Sequence, residues 1–276
     1  LSIEDVETPN NIAAIFNNDT HFSFEKTNKG QLDYSSLKKY SLIILNQLTE
    51  ISSGLNASLK EYLDNGGNIY SIPASNANIN SYNTFLLNVN AGTYGALQTK
   101  QGEGTTINLN EEVFKGVFNQ IPKNIEQPKF TKFYPIQANN QANERELLAT
   151  NSGTPLVAKF DVGKGYVYLQ AVPLLNSFSD LAAKAIFAPM IYNTAVYKKN
   201  NIPLFYTIGK DNLLEVKNEM DNSEMVYKLT NGKYEFIPEN RTIGNTILLR
   251  VNNILPTDGL YNIVNNAKIQ AVVAFN

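Results

Sequence analysis

At 276 residues the chain is longer than a typical single domain of roughly 100–200, so two domains are the starting expectation. With 43% hydrophobic and 17% charged residues it can fill a sizeable core and is too apolar to be disordered. Its 23 Lys and Arg against 25 Asp and Glu give a net charge of −2, which excludes the basic footprint of a nucleic-acid or anionic-membrane binder.

Zero cysteines exclude disulfides, thiolate metal sites and every Cys nucleophile, and the single histidine, His21, excludes multi-His metal sites. No cofactor and no metal are implied. The chain opens at Leu1 without Met, basic n-region or apolar h-region, and reads as a piece excised from a longer protein. Its longest apolar region, Leu181–Tyr197, is interrupted by Lys184, Pro189, Asn193 and Thr194 and reads as a buried helix, not a membrane span.

In chain order, Thr8-Pro9 before Ile12, Ile15 and Phe16 signals a helix start, with Thr as N-cap and Pro at the first position. His21–Phe24 alternates like a half-buried strand, and Leu42–Leu45 is a continuous apolar run of the kind covered on both faces. Ser52 or Ser53 caps a helix carrying Leu55, Leu59, Tyr62 and Leu63 on one face, and Gly66-Gly67 ends it. Asn68–Pro73 follows as a strand, then a polar loop from Ala74 to Asn80. This strand–helix–strand unit predicts two neighbouring parallel strands.

Further on, the pattern predicts a short helix over Glu111–Phe118 and a strand over Lys129–Ile136. Pro155–Asp161 and Gly165–Ala171 predict a hairpin turning at Val162-Gly163-Lys164. A long helix is expected over Ser179–Lys199, with Leu181, Ala185, Phe187, Ile191 and Ala195 in the core and a kink at Pro189. Beyond residue 202 the texture becomes a series of short strand-like runs, with Asn231-Gly232 as a hairpin turn. The expected domains are therefore residues 1–202, α/β with a mainly parallel sheet, and residues 203–276, an antiparallel β module packed on the first.

Chemistry in an open parallel sheet gathers beyond the carboxyl ends of its strands. The residues expected there are Asn46, Ser75, Asn76 and Asn78, neutral amides and a hydroxyl that suit a sugar or a peptide backbone better than a phosphate. Ser75 is the one candidate nucleophile, but the glycines of a Gly-x-Ser-x-Gly elbow are missing around it. His21 beside Asp19 reads as a solvated turn residue, and Glu144-Arg145-Glu146 as a solvated loop.

One family accommodates these features. Tyr40 and the Ser41–Asn46 run, the Leu59–Leu63 helix, Gly66-Gly67 and the strand after it resemble the core of class I glutamine amidotransferase-like domains. Pro155–Leu169, with Gly163-Lys164-Gly165 at its turn, resembles their late hairpin, and Phe187–Tyr192 their closing helix. The nearest subgroup is the non-catalytic version in Bacteroidetes membrane proteins similar to BatA-type aerotolerance proteins, whose terminal β module resembles Gly259–Asn276. The resemblance implies a flavodoxin-like sheet with helices on both faces. It also implies a membrane-anchored parent with this segment, itself soluble, on the extracytoplasmic, periplasmic side. The catalytic Cys and late His-x-Glu pair of the active enzymes are absent, so glutaminase chemistry does not carry over. A non-catalytic module binding an envelope protein, a glycan or a peptide is expected, with a serine hydrolase built on Ser75 as the alternative.

Overall fold

A strand with no polar face must be covered on both sides, and Leu42–Leu48 is buried at all seven positions. In a computed structural model of the chain, residues 1–5, 10–17, 19–104, 106–114, 117, 125–138, 144–197, 205–209, 213–217, 226–243, 246–251, 255–265 and 268–276 are described. The chain divides into two units, Leu1–Asn200 and Asn201–Asn276.

The first unit opens with β1 (Ser2–Glu4), α1 (Asn11–Phe16), β2 (Lys26–Asn28), β3 (Leu42–Leu48), α2 (Ser53–Asp64), β4 (Asn68–Pro73) and α3 (Ile79–Asn88). Short strands follow, β5 (Thr93–Tyr94), β6 (Gln98–Glu103), β7 (Thr106–Ile107), β8 (Lys129–Phe133) and β9 (Ile136–Gln137). The unit closes with β10 (Glu144–Ala149), β11 (Pro155–Val162), β12 (Gly165–Gln170) and α4 (Phe187–Val196). Among the described residues its main sheet has the order β2-β1-β3-β4-β12-β11-β10-β7. The pairings from β2 through to β12 are parallel, with Leu42 beside Asn68 and Ile69 beside Val167. Those from β12 out to β7 are antiparallel.

The α2 turn forms for the reasons its sequence gives. The Ser52 hydroxyl accepts from the Leu55 amide at 3.3 Å, satisfying a donor at the helix start at a net gain of about 1 kcal/mol. At the other end the Gly66 and Gly67 amides donate back to Leu63 and Tyr62, with Gly66 at φ +90°. The next residue is the hub of the unit. Asn68 accepts from the Tyr166 amide at 3.1 Å and donates to the Thr194 and Tyr197 carbonyls at 2.9 and 2.7 Å, tying β4 to β12 and to the end of α4.

Several elements differ from expectation. Thr8 and Pro9 lie outside the described residues; α1 begins at Asn11, after Asn10. His21–Phe24 is not in the ladder, because Phe22 and Phe24 turn instead onto the rings of Phe16 and Tyr192. The polar loop after β4 stops earlier than expected, since Ile79 and Asn80 already belong to α3. Of Glu111–Phe118, Glu112–Phe114 forms a 3-10 turn, while 115, 116 and 118 lie outside the described residues. The expected Lys129–Ile136 strand breaks at Tyr134-Pro135.

The long helix expected over Ser179–Lys199 begins at Phe187, leaving Ala185 exposed, while Lys198 and Lys199 lie outside the described residues. Pro189 falls in the first turn, where no amide partner is required, so it causes no kink. Glu144-Arg145-Glu146 is not a loop but the start of β10.

The second unit contains β13 (Leu213–Lys217), β14 (Tyr227–Thr230), β15 (Glu235–Phe236), β16 (Glu239–Ile243), β17 (Thr246–Arg250), β18 (Gly259–Asn265) and β19 (Lys268–Phe275). Among the described residues these form two antiparallel sheets, β13-β17-β16 and β15-β14-β18-β19, which share one core around Leu214, Leu229, Leu249, Tyr261 and Phe275. Asn231-Gly232 does turn a hairpin, but as part of a four-residue loop, because Thr230 pairs with Glu235. The Tyr261 hydroxyl donates back to the Thr257 carbonyl at 2.8 Å and fixes the entry to β18.

Two glycines of the first unit allow a direct test. A Cβ on Gly165 would lie 1.9 Å from the Gly67 carbonyl oxygen, whereas one on Gly54 meets only the Tyr34 ring at 3.6 Å. Gly165→Ala is expected to cost about 3 kcal/mol in denaturant unfolding, and Gly54→Ala to add about 0.5 kcal/mol through helix propensity.

Candidate functional site

Parallel strands end on one side, and the order of this sheet reverses between β1 and β3, so a crevice is expected beyond their carboxyl ends. The chain fills that place itself. Asp5, just after β1, accepts from both the amide and the hydroxyl of Thr49 at 2.7 Å. The Lys29 ammonium lies 3.2 Å from the same carboxylate and 3.4 Å from the Glu50 carbonyl. Burial disfavours the Asp5 charge, but the Thr49 hydroxyl and amide and the Lys29 ammonium outweigh it and hold the carboxyl below its ordinary range.

Beyond β3, β4 and β12 the strand ends are capped by tyrosines. Tyr82 on α3 donates to the Leu48 carbonyl at 2.7 Å, and Tyr94 on β5 to the Ser71 and Gln170 carbonyls at 3.2 Å each. Tyr134 donates to the Ser75 carbonyl at 3.0 Å. The three rings pack edge to face, 5.9 Å between Tyr82 and Tyr94 and 6.4 Å between Tyr94 and Tyr134. Burial pushes all three hydroxyls above their ordinary value, so they act as neutral donors.

The four residues expected at the strand ends do not come together. Asn46 lies within β3, 0% exposed, and donates to Glu4 at 2.8 Å and Ser2 at 3.4 Å. The strand outruns its apolar segment through a bulge at Gln47, whose φ of 57° is uncommon for a non-glycine residue. Ser75, Asn76 and Asn78 do share the loop after β4, with Ser75 half-buried and the two asparagines exposed. The Asn78 backbone starts α3, its amide donating to Thr49 and its carbonyl accepting from Ser81.

His21 is exposed and shares a cavity of about 200 Å³ with Ser41 and Leu42, at the amino end of β3 and thus the opposite end from Ser75. Among the described residues no group of three or more His, Cys, Asp and Glu could hold a metal ion. No described helix is long and apolar enough to cross a membrane.

A charged cluster, of which Arg145 alone belongs to the segment expected as a solvated loop, lies on the antiparallel wing. Lys159, 1% exposed, reaches Glu111 at 3.3 Å and stands 4.0 Å over the Tyr166 ring, while Arg145 pairs with Asp161. Burial, then the nearby Arg145 charge, pushes the Lys159 amine below its ordinary value despite Glu111. The residues missed at the strand ends are Asp5, Lys29, Thr49 and the three tyrosines. Only the polar step from Glu4-Asp5 after an apolar Ile3 hinted at the first of them.

No protein-family profile matches the chain, and no curated protein does. Solved structures do match. A cytoplasmic protein of Salmonella typhimurium LT2 superposes with a TM-score of 0.52 at 13% identity, over 69% of this chain and 87% of its own. A Bacteroides uniformis protein described as ThuA-like aligns at 12% identity with a TM-score of 0.49, over 72% of this chain and 91% of its own. A catalytic mutant of a GH42 β-galactosidase from G. stearothermophilus aligns over 92% of this chain but 35% of its own, at 13% identity and a TM-score of 0.47. Identities this low speak to fold alone. The fold is α/β, with a large mixed and mostly parallel sheet plus small antiparallel sheets.

Two measurements probe the filled crevice. Because the folded Asp5 carboxyl ionises below its ordinary value of 3.8, it adds stability above that value, and the gain is lost as pH falls through the folded pKa. Asp5→Asn should therefore flatten the acid limb of stability below about pH 4, read from urea melts between neutral and strongly acid pH. Tyr94→Phe removes the one O–H that two buried carbonyls share and should cost about 1–3 kcal/mol in the same assay.

Proposed function

We propose that the chain is a non-catalytic binding module of a membrane-anchored envelope protein, held on the extracytoplasmic side and built on a glutamine amidotransferase-like, flavodoxin-like scaffold. The β2-β1-β3-β4-β12 order, with its reversal between β1 and β3 and with α1 to α4 flanking the sheet, supports the scaffold reading. The observation that carries the binding-module reading is the packing of the strand ends. Where an enzyme of this class would keep an open, water-excluding site, Tyr82, Tyr94, Tyr134 and Asp5 occupy the carboxyl ends and hydrogen-bond the backbone there.

Nucleophilic chemistry has little to work with. Ser75 presents its carbonyl to Tyr134, the only imidazole of the chain is at the other end of the strands, and there is no thiol. Recognition of an envelope protein, a glycan or a peptide then falls to surfaces away from the crevice.

The reading is tested in two arms. The purified chain should turn over neither glutamine nor activated esters above the buffer rate; turnover abolished by Ser75→Ala would replace it with a serine hydrolase. In spheroplasts carrying the full-length parent, added protease should cleave this segment while a cytoplasmic control survives. Protection of the segment until lysis would remove the extracytoplasmic placement.

A further inference from the structure

We propose that the cavity between the antiparallel β6–β8 pair and the 150–154 turn is a carbohydrate site that takes a neutral pyranose ring. The cavity measures about 330 Å³, within the range of small-molecule sites. Its floor is the corner made by Phe130 and Phe133, whose rings meet at 5.1 Å and 69°. That corner needs Gly102, because a Cβ there would lie 2.4 Å from the Phe130 ring. Glycine lets the ring lie across β6 and sets the depth of the cavity.

The lining also carries a row of hydroxyls. Ser152 Oγ lies 2.9 Å from Thr150 Oγ1 and 3.4 Å from Thr154 Oγ1. Each hydroxyl both donates and accepts and can rotate to suit a partner. Gln101 adds an amide on the β6 side. The ionic lining residues are Lys100 and Glu103, of opposite sign, and Glu103 already faces Lys129 at 3.6 Å. The lining itself thus carries one charge of each sign and concentrates neither.

A ligand complementary to this lining is neutral, with one apolar face for the phenylalanine edges and a rim of hydroxyls for the threonine–serine row. A pyranose ring has both. The site names a ligand class for the binding-module reading and rests on that reading, but it uses none of the strand-end residues.

The test is amide chemical-shift mapping of the full 276-residue chain. The probes are methyl β-D-glucopyranoside, methyl β-D-galactopyranoside, methyl α-D-mannopyranoside and N-acetyl-D-glucosamine, titrated to about 10 mM, above the millimolar Kd that a few hydrogen bonds sustain. Saturable shifts confined to residues 98–103, 130–133 and 150–154 are expected with at least one sugar. Ser152→Trp, which fills the mouth from an exposed turn, should weaken that sugar about tenfold, and Lys60→Ala on α2 should not. Gln101→Ala, which keeps the cavity open, should weaken it too and serves if the tryptophan variant misfolds. No saturable shift with any of the four sugars overturns the proposal. So do shifts that gather at residues 74–78, or a cavity that answers to an extended peptide and to no sugar. None of these outcomes touches the protease-accessibility arm, so this site can fail while the module reading stands.

Discussion

The first unit depends on a contact in which no side chain takes part. Gly67 at the start of β4 and Gly165 at the start of β12 approach so closely that a Cβ on the second would lie 1.9 Å from the carbonyl of the first. This contact sets the spacing at which the parallel half of the sheet meets its antiparallel wing. Two turns seat there at once, the glycine end of α2 and the Gly163-Lys164 hairpin, and Asn68 bonds both the wing and the end of α4. A buried amide serving three backbone groups is costly to lose, because each group would be left without a partner at about 1–3 kcal/mol. Backbone proximity and one asparagine together decide which strands are neighbours.

That seam was legible in the sequence; much of the site was not. Ser52, Gly66-Gly67 and Gly163-Lys164-Gly165 are local signals, each with a cap or turn geometry of its own, and each forms as its chemistry requires. β1 and β2 have three residues apiece, too few to show a period, and the exposed β6 is polar throughout. Asn46 was misplaced for a physical reason. The apolar run stops at Leu45, yet the Gln47 bulge carries the strand on to Leu48, so the amide lies inside the sheet. The tyrosine caps left no local trace, since their partners are 23 to 76 positions away and the contact exists only after folding.

The caps engage the polar backbone atoms at the strand ends. In a parallel sheet the last carbonyls point into the crevice and need donors, from a ligand, water or the chain itself. Here Tyr82, Tyr94 and Tyr134 are those donors, and their rings pack edge to face beside the strand ends. Their hydroxyls are held neutral by burial, so they supply neither a base nor a nucleophile. Asp5 is the reverse case, a carboxylate kept charged by two hydrogen bonds from Thr49, and its acceptor capacity is already engaged.

The antiparallel wing handles charge differently. Lys159 is enclosed at the centre of β11, between its ladder partners Arg145 and Tyr168, and its ammonium relies on Glu111 and the Tyr166 ring. Exchanging a buried ion pair for a hydrophobic pair is often neutral or stabilising, but removing one partner alone is not, so Lys159 and Glu111 hold the loop before Glu112 against the wing. The buried Asn68 and Lys159 and the partly buried Asp5 are thus committed to fixing strands and loops in place. At the rim the hydroxyls of the 150–154 turn bond one another and the Thr154 amide, and the edge of β6 is polar and exposed. The rim hydroxyls, each able to donate and to accept, keep a freedom to rearrange their bonds that the strand-fixing groups of the interior lack.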